Sequence, residues 1–85
     1  MRVIVTTRAR AFDREGVCTN KFLVENGEVL VWDSVSGYYT GNHRVSADSL
    51  IRIRKIADKM ESQYRNGDGA QLQDGPYTKA KIELR

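Results

Sequence analysis

The chain is predicted to be an α+β domain in which a three- or four-stranded, mainly antiparallel sheet carries one amphipathic helix on one face, in the order β-β-β-α-β. Three observations point there. Asn26-Gly27 sits between two apolar runs, β-branched and aromatic residues alternate in the flanking segments, and residues 46–64 place apolar side chains at helical spacing behind a serine.

Residues 2–12 supply the first strand. Val3, Ile4, Val5, Thr6 and Thr7 are β-branched, and Arg8, Ala9, Arg10 and Ala11 then alternate. Val3, Val5, Thr7, Ala9 and Ala11 share one face, leaving Arg2, Ile4, Arg8 and Arg10 on the other, and a turn is expected over residues 13–16.

The strongest local signal follows. A type I′ turn needs positive φ at both central residues, and Asn-Gly tolerates this best, so Asn26-Gly27 closes a two-residue hairpin. The turn sets the register, pairing Val24 with Val29 and Phe22 with Val31 on one face, and Leu23 with Leu30 and Lys21 with Trp32 on the other. Both faces of the hairpin are therefore apolar near its middle. Residues 33–37 then contain a turn or bulge, and Tyr38-Tyr39-Thr40 resumes extended structure until Gly41-Asn42.

Ser46 is the expected N-cap, since its hydroxyl can accept from a first-turn amide, and Asp48 places negative charge at the positive helix end. Leu50, Ile53, Ala57, Met60 and Tyr64 recur at spacings of three and four, with Ile56 widening the stripe. That face should meet Phe22, Val24, Val29 and Val31. The helix ends near Asn66-Gly67, residues 67–76 are expected to be a flexible loop, and a last strand over residues 77–84, placed beside strand one with a frayed tail as the alternative, alternates Ala80, Ile82 and Leu84 with Lys79, Lys81 and Glu83.

With 85 residues there is room for a single small domain, spanning residues 1–85, and a modest core. Fourteen Lys and Arg against eleven Asp and Glu give a net charge of +3, which favours an anionic partner slightly. Cys18 is the sole cysteine, which excludes an internal disulfide and suits a reducing, cytoplasmic setting. Neither a signal peptide nor a membrane span is expected.

No catalytic, cofactor-binding or metal residue is assigned. His43 is the sole histidine, and no nucleophile signature surrounds it, Ser34, Ser36 or Cys18. Asp13 with Glu15, and Asp68 with Asp74, lack the spaced oxygen ligands of a calcium loop, and Gly67-Asp68-Gly69 is too isolated to cradle phosphate. A non-enzymatic binding module without a small-molecule substrate is the expectation.

Two kinds of partner are weighed. One is a protein, or a second copy of the chain, docked on an apolar sheet face formed by Leu23, Leu30, Trp32 and Tyr38 or Tyr39. The other is nucleic acid tracked by a basic stripe of Arg44, Arg52, Lys55 and Lys59, with Arg8 and Arg10 as additions and Trp32, Tyr38 and Tyr39 as stacking faces. A charged stripe is also what the solvated side of any amphipathic helix presents.

Residues 31–40, Val-Trp-Asp-Ser-Val-Ser-Gly-Tyr-Tyr-Thr, followed by Ser46 and by Ile53-Arg54-Lys55-Ile56-Ala57, resemble small open reading frames of phage and prophage genomes. The likeness covers about half of the chain. Tyr38 stands where those frames often have a histidine, and Gly41-Asn42-His43 where they carry Cys-His before the capping serine. The resemblance implies a mobile-element origin and attaches no activity; small phage products of this size are often host-factor or defence inhibitors, which makes protein binding a contender.

Overall fold

The computed structural model of the chain describes residues 1–10, 17–41 and 45–83, with backbone alone for residues 9, 10 and 17–19. Among the described residues the elements are β1 (Arg2–Arg10), β2 (Val17–Glu25), β3 (Glu28–Asp33), β4 (Tyr38–Thr40), α1 (Ala47–Arg65), β5 (Gln71–Gln73) and β6 (Thr78–Glu83). The strands form one sheet in the order β4-β3-β2-β1-β6-β5, and every pairing is antiparallel. The fold is therefore α+β with one helix, but the three or four strands expected become six.

The two additional pairings have separate causes. After β3, the Asp33 carboxylate accepts from the Val35 N–H at 2.9 Å and the Asp33 carbonyl from the Gly37 N–H at 2.8 Å, with Gly37 at φ 76°, so the chain reverses tightly enough for β4 to pair with β3. In the stretch expected to be a loop, Gln71–Gln73 pairs with Lys79–Lys81, and the Gln63 side chain donates to the Gln71 carbonyl at 2.6 Å, tying this short strand to the helix. Three residues of Gln-Leu-Gln are too few to announce a period in the sequence.

Local signals elsewhere act as their chemistry dictates. Asn26 and Gly27 take φ of 53° and 78°, and the register pairs Phe22 with Val31, Leu23 with Leu30 and Val24 with Val29. Ser46 caps α1, its hydroxyl accepting from the Ser49 N–H at 3.2 Å. At the other end the Gly67 N–H donates to the Tyr64 carbonyl and the Asp68 N–H to the Gln63 carbonyl, both at 3.0 Å, with Gly67 at φ 79°. That is the Schellman closure, in which the amide of a left-handed residue and the one after it satisfy the last helical carbonyls.

The helix lies on the sheet face of Val3, Val5, Phe22, Val24, Val29, Ala80 and Ile82, and adds Ile53, Ile56, Ala57 and Met60 to one core. Leu50, Val31, Tyr64 and Leu72 pack at its margin. Met60, Val3 and Val5 are fully enclosed. The helix sits mainly over β1 and β6 rather than over the β2–β3 hairpin, because β6 returns to pair beside β1 and moves the middle of the sheet toward it. The Arg44 and His43 assignments and the turn over residues 13–16 lie outside the described residues, as do the side chains of Arg10 and Cys18. No helix among the described residues is long and apolar enough to cross a membrane.

Candidate functional site

The sheet face turned away from α1 is organised by the strand registers into three rows that cross the strands. The first row reads Gln73, Lys79, Thr6 and Lys21 through the pairings of β5, β6, β1 and β2. It continues to Trp32, whose ring centroid lies 5.6 Å from the Lys21 ammonium, and then to Tyr39, the cross-strand partner of Trp32. The second row is Gln71, Lys81, Ile4, Leu23 and Leu30. The third is Glu83, Arg2, Glu25 and Glu28.

Charge is segregated along the strands as a result. The first two rows carry Lys21, Lys79 and Lys81, and Arg8, exposed and one step beyond Thr6 on the same side of β1, extends the positive end without an acidic side chain among the described residues. The third row holds three carboxylates against one guanidinium. Arg2 pairs with Glu83 at 3.3 Å, and its side chain is only 15% exposed. Its Nε is buried without a hydrogen-bond partner.

The apolar middle row is already largely covered. Ile4 is 3% and Leu23 5% exposed although, among the described residues, no helix lies over them. Tyr39 is half-buried, and its phenol is pushed above the usual tyrosine range first by burial and then by the negative charge of Glu83, against an opposing pull from Arg2. Because the folded state favours the neutral phenol, stability should fall as pH rises past about 10 and continue falling until the folded-state value is passed. Denaturant titrations at alkaline pH should show a shallower decline for Tyr39→Phe than for the parent; equal slopes would remove Tyr39 from this linkage.

Trp32 and Tyr39 meet edge-to-face, with centroids 5.1 Å apart and planes at 65°. Between β1, β6 and β5 the same face forms a trough of about 440 Å³ with Ile4 among its apolar lining and Thr6, Gln71, Gln73, Lys79 and Lys81 as polar walls.

The helical basic stripe is elsewhere, on the opposite layer. Arg52 donates to the buried Thr78 hydroxyl at 3.3 Å, Lys59 lies 4.0 Å from the Asp74 carboxylate, and Lys55 is exposed. Arg52 is thus engaged with the start of β6 and Lys59 with the β5–β6 connection. Of the expected protein-docking residues, Leu23, Leu30, Trp32 and Tyr39 share the helix-free face, whereas Tyr38 pairs with Asp33 and points to the other side. Leu23 is buried, and Trp32 is 38% and Tyr38 70% exposed.

Lys79, Lys81 and Thr6 were not singled out as candidates from sequence. Their alternation with Ala80, Ile82, Val5 and Thr7 is visible there, yet only the long-range pairing of β6 with β1 brings them beside Lys21 and Trp32. Among the described residues no group of three or more His, Cys, Asp or Glu side chains could hold a metal ion. Comparison with known proteins found no matching family model, no similar curated protein and no similar solved structure.

Proposed function

We propose that this chain is a non-enzymatic binding module that takes nucleic acid on the helix-free face of its sheet. The observation that carries the reading is the cross-strand row in which Lys79 and Lys21 flank Thr6 and Trp32 follows, with Lys81 and Arg8 beside it and the carboxylates of Glu25, Glu28 and Glu83 confined to the far end. Cations held by paired strands attract phosphate, and an aromatic ring beside them adds a contact for a base. The stripe of Arg52, Lys55 and Lys59 is less available, since Arg52 and Lys59 already have partners in the chain.

Salt dependence tests it. If Arg8, Lys21, Lys79 and Lys81 each neutralise one phosphate, raising salt from about 50 to about 200 mM should weaken binding of a labelled oligonucleotide roughly 50-fold in fluorescence anisotropy. Absent or salt-insensitive binding would discard the reading.

A second reading, docking of a protein or a second copy, is favoured by one observation. Val35 is 95% and Tyr38 70% exposed, and both lie on the β3–β4 hairpin beside Trp32. Such a surface suits the mobile-element origin that the resemblance of residues 31–57 implies. Dimerisation detected by light scattering and removed by Tyr38→Ala would support it; a monomer at every concentration would rule out the second copy.

A further inference from the structure

We infer that the nucleic acid is single-stranded and crosses the strands along the row from Lys79 through Thr6 and Lys21 to Trp32, with one base stacked on the Trp32 ring. This rests on the nucleic-acid reading above and specifies its ligand and path.

Trp32 is 38% exposed on a face that carries no helix, and Tyr39 meets it edge-to-face, an arrangement that holds the indole in place. A base can stack on such a ring only when its own face is free, which an intact duplex does not offer.

Shape points the same way. Reading a duplex groove takes a helix or ribbon that projects into it, whereas α1 packs on the other face of the sheet. A flexible single strand can follow the helix-free face and its trough between β1, β6 and β5.

Neighbouring strands are about 4.8 Å apart, so Lys79 and Lys21 stand roughly 10 Å from each other across Thr6, with Trp32 one strand further on. A chain running along the strands instead would reach the carboxylates of Glu25, Glu28 and Glu83 within two residues of the apolar row. Crossing the strands keeps its phosphates over the basic rows, and the trough between β1, β6 and β5 continues the path toward the Gln71 and Gln73 amides.

Lys21 has a particular part in this arrangement. In the unliganded chain its ammonium rests 5.6 Å from the Trp32 centroid, an exposed cation–π contact. An arriving base displaces it from the ring, and the ammonium moves to the adjoining phosphate. Positive charge therefore stays at the site through binding.

The test uses the full chain with a mixed-sequence oligonucleotide of about twelve nucleotides, offered single-stranded and annealed to its complement. Trp32 is the only tryptophan, so intrinsic fluorescence reports this ring alone. The single strand should bind tighter than the duplex and quench that fluorescence. Trp32→Ala should weaken single-strand binding roughly tenfold, Trp32→Phe should retain most of it, and circular dichroism confirms that each variant is folded. Equal binding of duplex and single strand without quenching would overturn the single-strand inference and leave the nucleic-acid reading standing; no binding of either would remove both.

Discussion

An Ile53→Asp protein is expected to show no cooperative thermal transition. Ile53 is 3% exposed on the face of α1 that joins Val3, Val5, Phe22 and Met60 in one core. The substitution removes a packed aliphatic group and leaves a carboxylate where no water can solvate it, a combination that costs more than about 4 kcal/mol. A chain of this length holds a net stability of only about 4–13 kcal/mol, so that loss takes at least about a third of it and, toward the lower bound, all of it. Ile51→Asp is the control. Ile51 stands two residues away but is 51% exposed, and its replacement should change stability by less than about 1 kcal/mol. Calorimetry of both proteins checks the pair, and a cooperative melt for Ile53→Asp would refute this packing.

The second large effect concerns binding. Lys21→Glu combined with Lys79→Glu reverses two charges in the row that crosses the sheet while leaving the core on the other face untouched. Oligonucleotide affinity should fall below detection at moderate salt, and any remaining salt slope should lose about one unit for each lost phosphate contact. Lys55→Glu combined with Lys59→Glu changes the charge by the same amount on the opposite layer and should retain most of the affinity. Anisotropy titrations compare the two directly. The reverse order of effects would move the binding surface to α1.

Much of the scaffold is legible in local chemistry. Asn26-Gly27 specifies a turn with positive φ, Ser46 a helix start, and the spacing of Ile53, Ala57 and Met60 a buried helix face. Each of these signals acts over a few residues. The pairing of β6 with β1 agrees with the expected place of the last strand, although nothing within Thr78–Glu83 itself names that neighbour or the register. The candidate site inherits that limit. Lys79 and Lys81 read as the solvated side of a last strand, and they join Lys21 and Trp32 only because β6 and β2 flank β1 in one register. The expected apolar docking face also changes character for a non-local reason. Leu23 and Ile4 are enclosed although, among the described residues, no helix covers them, on a face where Arg2 and Tyr39 are themselves largely or partly buried. Tyr38 and Tyr39 were readable as opposed, since adjacent strand residues point to opposite faces.

The central claim is that the helix-free face, not the helix, meets nucleic acid. Amide and side-chain resonances followed by NMR during titration with a single-stranded oligonucleotide test it residue by residue. Shifts concentrated at Thr6, Lys21, Trp32, Lys79 and Lys81 are the predicted result. Shifts confined to α1 around Arg52, Lys55 and Lys59, or no shifts at all, would contradict it.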